Sequence, residues 1–378
     1  MKSPLIQEDV KTIAENLREL APRFAGKTLL ISGGAGFLGK YFLSTFKYWN
    51  DNILDKPLRV ISVDNYITGQ KDAAFDYESE NIMDVWGDVT HPLPVREDID
   101  FIIHAAGLAS PVFYQKYPLE TIESAVTGAK NLLDLAQKNP KLAGFLFFSS
   151  SEIYGDPAPD AIPTPETYHG NVSSVGPRAC YDESKRLSET VCMIYQQKYG
   201  VPAKIVRPFN VFGPGMRHDD RRVVPMFAYQ ALNGQTLTVH GDGHQTRTFC
   251  YITDAINGFL RVLLLGKPGE AYNIGNADNE ISMRNFAALF SELVPGAKYQ
   301  MVPYPDTYPA GEPQRRCPDL TKAREQLGYE AKVSMREGLK RFLDWAKTQE
   351  AYVSVPKPKN TRRVVKERQR VATAKKTA

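Results

Sequence analysis

Tyr181 and Lys185 stand four residues apart in RACYDESKRLSET, a spacing that turns both side chains to one face of a helix. A free phenol ionises near pH ~10, too high for a base at neutral pH. An ammonium and a second cation beside it favour the phenolate. Such a phenolate can take the proton of a hydroxyl while hydride leaves the carbon that bears it. The pair alone means little, because Tyr and Lys are common on helix faces. Its setting adds weight: the apolar run FLFFSSS comes before it and ends in Ser149-Ser150-Ser151-Glu152. Ser150 is the expected hydroxyl partner of the reacting oxygen.

The electron acceptor is written nearer the N-terminus. The run LLIS leads into Gly33-Gly34-Ala35-Gly36-Phe37-Leu38-Gly39 and then a helical pattern. Gly33 permits the tight turn, Gly36 lets backbone approach a pyrophosphate, and Gly39 allows close packing of helix on sheet. The phosphates would then sit at the positive end of the helix dipole. The next apolar run, RVISVD, ends at Asp64, followed by Asn65. A carboxylate there can bind the adenosine ribose and repel a 2′-phosphate, which favours NAD over NADP. The bland alternative is that Asp64 starts a turn.

These residues need a scaffold of buried strands. The apolar runs at 28–32, 59–63, 101–104 and 145–149, with a shorter one at 85–87, alternate with segments long enough for crossover helices. The pattern predicts an α/β fold: a doubly wound parallel (Rossmann) sheet with a smaller C-terminal substrate-binding region. The NAD-binding part with its catalytic helix is expected over 27–207. After residue 208 Pro- and Gly-rich loops such as PFNVFGPGMR mark the mainly substrate-binding region, to 350. Residues 1–26 form an N-terminal extension whose Ile6, Val10, Ile13, Leu17 and Leu20 make an amphipathic helix. The acidic Glu8, Asp9, Glu15 and Glu19 on its polar side disfavour a membrane surface.

The net charge of +4 hides an uneven distribution. Residues 353–378 hold nine Lys or Arg against one Glu, so the rest of the chain is net acidic. The tail, 351–378, is expected to be a disordered, solvated segment; polyanion binding is the alternative. Nucleic acid is not an expected partner. An apolar fraction of 42% suits a soluble enzyme, with no apolar stretch of about 18 residues to span a membrane. There is no secretory leader pattern, and Cys180, Cys192, Cys250 and Cys317 lack pairing or zinc spacing, so a reducing, cytoplasmic location is expected. The histidines lack ligand-spaced partners, so no metal is expected.

The Gly33-x-x-Gly36-x-x-Gly39 spacing resembles the extended short-chain dehydrogenase/reductase superfamily from about Lys27 to Ala346. That resemblance implies that Asp88 and Val89 flank the adenine and that Ala105, Ala106 and Gly107 line the cofactor cleft. Within the superfamily, Ser150-Ser151-Glu152 is similar to the UDP-glucuronate decarboxylase (UDP-xylose synthase) family. So are Ala109-Ser110-Pro111 with Tyr114, Asn171-Val172, the run from Gly176 to Glu183, Arg222-Val223-Val224, Gln245-Thr246-Arg247 and Arg316 with Pro318-Asp319. Nucleotide-sugar 4,6-dehydratases carry Thr-Asp-Glu where this chain has Ser150-Ser151-Glu152, and Ser151 is too weak an acid to protonate a departing oxygen.

The resemblance implies a nucleotide-sugar substrate, oxidised at C4 by Tyr181 with NAD, decarboxylated as the β-keto acid, and reduced again. It assigns the Tyr181 hydroxyl, with Lys185 and Ser150 nearby, to the enolate, Glu152 with Ser151 to proton delivery at C5, and Tyr114, Arg222, Arg247 and Arg316 to substrate contacts. Asn210 is assigned to the substrate diphosphate or cofactor, or to a structural loop cap. A homodimer is also implied. Departures are Ser150 for Thr, Gly215 within Gly213-Pro214-Gly215-Met216 with Arg217 displaced beyond it, Arg221 for Gly, and the insertion KYWNDNILDKPL. They leave the substrate open, with a 4-epimerase, a 4,6-dehydratase variant or a ring-contracting synthase on another nucleotide sugar as competing readings; the intact Tyr181, Lys185 and Glu152 argue against a non-catalytic NAD-binding scaffold.

Overall fold

The computed structural model describes residues 1–95, 97–304 and 313–353. The basic tail lies outside them from residue 354 onward. Seven parallel strands form the central sheet: β1 (Thr28–Ser32), β2 (Arg59–Asp64), β3 (Ile82–Trp86), β4 (Phe101–His104), β5 (Gly144–Phe148), β6 (Ala203–Pro208) and β11 (Ala271–Ile274). Their order is β11-β6-β5-β4-β1-β2-β3. The winding reverses between β1 and β4, and it is outside the carboxyl ends of such neighbours that a doubly wound sheet binds its ligand.

Alternate strand residues feed two cores, because side chains along a strand point to opposite faces. Leu29, Ile31, Ile103 and Leu146 pack with α1 (Pro4–Asn16), α2 (Phe37–Asn52) and α7 (Ile252–Leu265). Leu30, Ile102 and Phe145 pack under α4 (Pro118–Gln137) and α5 (Ala179–Tyr199), preceded by the short α3 (Pro111–Lys116).

The remaining chain builds small sheets beside the carboxyl ends. β7 (Val211–Phe212) pairs with β10 (Cys250–Tyr251), and β8 (Leu237–His240) with β13 (Tyr299–Val302). β9 (Thr246–Thr248) lies between β12 (Glu280–Ser282) and β14 (Arg315–Arg316). Helices α6 (Val223–Leu232), α8 (Met283–Leu293), α9 (Thr321–Leu327), α10 (Met335–Ala346) and α11 (Glu350–Val353) close the unit.

Expected and observed strands coincide at 28–32 and 101–104. The strand expected at 85–87 begins earlier, at Ile82, because β3 is an edge strand with Met83 and Trp86 exposed. β6 and β11 escaped the sequence reading. β11 comes from beyond residue 207 and pairs with β6, so the central sheet draws its last strand from the region expected to be mainly substrate-binding.

The N-terminal helix lies on the body, burying Ile6, Val10, Ile13 and Leu17, with Leu20 half-buried. The insertion receives it: Trp49 Nε1 donates to the Ala14 carbonyl at 3.2 Å and Tyr48 to Glu15 at 3.2 Å. Asp9, expected on the polar side, is fully buried instead. It accepts from the Tyr251 hydroxyl at 2.8 Å and from Arg341 Nη2 at 2.7 Å, which is why a carboxylate can face inward there. Tyr41, also within reach of Asp9 at 3.4 Å, donates to the Pro214 carbonyl at 3.0 Å. Tyr352, on α11, donates to the Met216 carbonyl at 3.0 Å.

Candidate active site

A cavity of about 660 Å³ opens beyond the carboxyl ends of β4 and β5 and runs under α6, β9 and β14. Its lining joins Phe37, Leu38 and Ala105 to Ser150, Ser151, Glu152, Tyr181 and Lys185, and both sets to Tyr114, Asn210, Arg222, Arg247 and Arg316. Residues spread over most of the sequence thus share one wall.

At the cofactor end, Gly33 has φ 83°, and a Cβ there would come within 2.7 Å of the Ala106 nitrogen. A left-handed turn pressed against backbone suits glycine alone. At Gly39 a Cβ would overlap the Gly33 and Gly34 carbonyls. Its close packing is therefore against the loop that starts α2, not against the sheet as expected. Gly36 is the N-cap of α2 and supplies no side-chain cap, which leaves the first-turn N–H groups for an anion.

Asp64 ends β2 and accepts from the Ala35 N–H at 3.0 Å and the Tyr66 N–H at 2.8 Å. It therefore begins a turn and also braces the glycine loop. Burial raises its carboxyl above the usual value, against those two N–H donors. Asn65 Nδ2 donates to Asp88 at 3.2 Å, joining the loops after β2 and β3. The Val89 side chain is buried in the core under α4, so its backbone is what remains for an adenine. Ala105 and Ala106 are fixed by Ser32, through its carbonyl at 3.1 Å and hydroxyl at 3.4 Å. The uncapped helix start, the carboxylate after β2 and the cavity floor at Phe37 and Leu38 fit a dinucleotide whose nicotinamide would reach Tyr181. Asp64, Asn65 and Asp88 are not in the cavity lining.

At the catalytic end, α5 presents Tyr181 and Lys185 on one face, both buried. Lys185 Nζ donates to the Phe148 carbonyl at 2.7 Å and lies 5.8 Å from the Tyr181 ring centre. Burial pushes its ammonium down to about 8. Burial also pushes the Tyr181 phenol up; a hydrogen bond with Ser150 and the charges of Arg222 and Arg178 pull it back. The protein alone thus favours the protonated phenol, and a cation bound beside it would favour the phenolate. Tyr114 stacks on Tyr181 with ring centres 5.4 Å apart.

Glu152 is not a free acid. Arg316 grips it with both terminal nitrogens, Nη1 on Oε1 and Nη2 on Oε2, the latter at 2.6 Å, and Arg178 Nη2 bonds Oε2 from the other side. Two guanidinium groups of this kind stabilise an ionised carboxylate. Arg316, expected to contact the substrate, lines the cavity and also holds this carboxylate there. Arg178 was not singled out as functional, although it lies within the Gly176–Glu183 run, three residues before Tyr181; no spacing rule links it to Glu152. Arg247 is the register partner of Arg316 across β9 and β14, so the two are neighbours on one face. Arg222 caps α6 and bonds Asp220 through Nε at 2.9 Å. Asn210, at φ 35°, donates to the Thr248 carbonyl at 2.8 Å, the loop-cap arrangement. The four cysteines are free. Among the described residues no helix is long and apolar enough to cross a membrane.

A family model described as the NAD dependent epimerase/dehydratase family matches residues 29–275. The chain is 42% identical over 315 residues to UDP-glucuronic acid decarboxylase 5 of Arabidopsis thaliana, covering 82% of this chain and 86% of that one. It is 36% identical over 376 residues to UDP-glucuronic acid decarboxylase 1 of Danio rerio, covering 94% and 85%. Among solved structures, an epimerase from Methanothermobacter thermautotrophicus superposes with a TM-score of 0.74 at 29% identity, covering 88% and 94%. A dTDP-glucose 4,6-dehydratase from Streptomyces venezuelae, solved with NAD bound, also gives 0.74, at 26% identity over 86% and 98%.

Proposed function

Since this chain belongs to the NAD-dependent epimerase/dehydratase family and is an NAD-dependent enzyme acting on nucleotide sugars, we propose that it decarboxylates UDP-glucuronate to UDP-xylose through a 4-keto intermediate. Tyr181, which shares the cavity wall with Ser150, takes the proton of the C4 hydroxyl. When bound, NAD would supply the acceptor for the C4 hydrogen, which departs with its bonding pair as hydride and is given back to C4 after C5 is protonated, Tyr181 handing the proton back to the C4 oxygen. The C6 carboxylate is then β to a ketone, so CO2 leaves as the C5–C6 bonding electrons move toward the C4 oxygen. The Tyr181 hydroxyl, with Lys185 and Ser150 close by, stabilises the resulting enolate. Glu152, oriented by Arg316 and Arg178, organises proton delivery to C5 together with Ser151.

One observation carries this reading over its relatives. Among the described residues that line the cavity, Glu152 is the only carboxylate, and it is held by two arginines. Water elimination needs a carboxylic acid beside Ser150, and Ser151 offers only a hydroxyl. The basic wall suits a sugar that itself brings a carboxylate.

The test is turnover. Purified protein with NAD and UDP-glucuronate should release CO2 and yield a pentose nucleotide by mass. Tyr181→Phe should slow this by about 10²-fold or more while NAD binding persists. If no uronate nucleotide yields CO2, the decarboxylase reading falls; unchanged mass or loss of water from another nucleotide sugar would redirect it to epimerisation or dehydration.

A further inference from the structure

The face of α5 that presents Tyr181 and Lys185 continues one turn further to Glu189, a residue the proposed chemistry does not use. Its carboxylate receives Arg207, from β6, through Nε at 2.9 Å and Nη2 at 2.6 Å. It also receives the Ser149 hydroxyl at 2.5 Å. Arg207 has a third role: its Nη1 donates to the Tyr154 hydroxyl at 2.8 Å and the Glu166 carbonyl at 2.9 Å. The pair therefore ties β5, α5, β6 and the turn after Glu152 into one network.

Ser149 sits between Phe148, whose carbonyl anchors Lys185, and Ser150, which lines the cavity with Tyr181 and whose hydroxyl accepts from the Glu152 N–H at 3.2 Å. The end of β5 is thus held by the ammonium through one residue and by Glu189 through the next. A buried ion pair is seldom the most stable filling for such a space, so its presence here calls for a reason beyond stability.

We propose that Glu189, clamped by Arg207, is a positioning residue for the catalytic set. Through Ser149 it fixes the end of β5, and so aligns the Ser150 hydroxyl and the Phe148 carbonyl that aims Lys185 at Tyr181. The inference rests on the Tyr181–Lys185 chemistry of the proposed function, not on which sugar is bound.

Charge adds to geometry. Lys185 is faced by Cys192 and Glu189 on its own helix, by the Tyr181 and Phe147 rings, and by His104 on β4. Burial and Lys185 push His104 down to about 3, so it is neutral. Glu189 is faced by Arg207, Ser149, Tyr154 and Lys185. Neutralising Glu189 removes an anion that supports the ammonium, and with it part of the support for the phenolate.

Glu189→Gln alone strands a guanidinium in the core and can unfold the chain. The test therefore uses Glu189→Gln/Arg207→Gln, which removes both charges, and Ser149→Ala, which leaves the pair and cuts its link to β5. With NAD bound, the ionisation of Tyr181 is read from the ultraviolet pH difference against Tyr181→Phe in the same background. The double variant should move that midpoint up by at least about half a pH unit. With the nucleotide sugar that the wild type turns over, kcat should fall at least about tenfold in the double variant and about threefold in Ser149→Ala, with KM within about twofold.

Melting near the wild-type temperature together with unchanged phenol midpoint and kcat would reduce the pair to a structural filling and overturn the proposal. If the double variant does not melt cooperatively, Ser149→Ala decides: wild-type kcat refutes, a fall with unchanged KM and melting supports. The phenol titration needs no sugar, so a failure of the decarboxylase reading is told apart from a failure of this one.

Discussion

Asp9→Asn should change how stability depends on pH, with no reacting group involved. Asp9 lies fully buried among α1, α2, β10 and α10. Burial outweighs the attraction of Arg341 and raises its carboxyl from 3.8 to about 6. The folded chain thus takes up a proton as pH falls through 6, whereas the unfolded chain waits until about 3.8. Stability from this group is fully present below the lower value and is lost as pH rises through the upper one.

With one unit worth about 1.4 kcal/mol, the whole swing is about 3 kcal/mol. Roughly 1.3 kcal/mol of it falls between pH 7 and pH 5. Asparagine cannot titrate there and keeps an oxygen for the Tyr251 hydroxyl. Urea unfolding of both proteins at the two pH values should show the wild type gaining about 1.3 kcal/mol over the variant on acidification. Parallel pH dependences, or a gain in the opposite sense, would refute the reasoning that desolvation dominates Arg341 at this site.

Three further changes probe the site. Gly39→Ala places a methyl on the Gly33 and Gly34 carbonyls, so it should cost about 1–3 kcal/mol by denaturation and weaken NAD binding measured by calorimetry. Arg316→Met leaves Glu152 with Arg178; stability should drop by about 1–3 kcal/mol and turnover by about 10²-fold, and Arg316→Lys should not restore turnover, because one ammonium cannot reproduce the two-pronged contact. Asp64→Asn keeps an acceptor for the loop N–H groups but removes the charge, so affinity for NAD should fall about tenfold and discrimination against NADP should narrow in paired titrations.

Strands buried on both faces were readable as unbroken apolar runs, which is why β1, β2, β4 and β5 stood out. β6 did not, because AKIVRP carries Lys204 and Arg207; both are buried, one on the Leu263 carbonyl at 2.6 Å and the other on Glu189. Charges in a strand look like a loop until their partners are known. The glycine loop and the Tyr181–Lys185 pair were legible because their spacing follows from helix and turn geometry. The arginines were harder. Arg178 and Arg316 meet at Glu152 from positions 138 residues apart, and only the tertiary fold reveals that they meet. The inward turn of Asp9 was hidden for a similar reason: its tyrosine and arginine partners come from distant segments.

Pro214 and Met216 belong to one short turn, and Met216 faces the cavity. One carbonyl is fastened by Tyr41, whose helix is backed by the first residues of the chain, and the other by Tyr352 near the last described one. Removing α1 or α11 would spare Tyr181 and Lys185 yet unfasten the same rim. A fragment limited to residues 29–275, the stretch that the family pattern covers, would retain Tyr181 and Lys185 but lose Arg316, Tyr352 and the first helix. Among the described residues the first and last helices act as tension members, and the shape of the cavity depends on both.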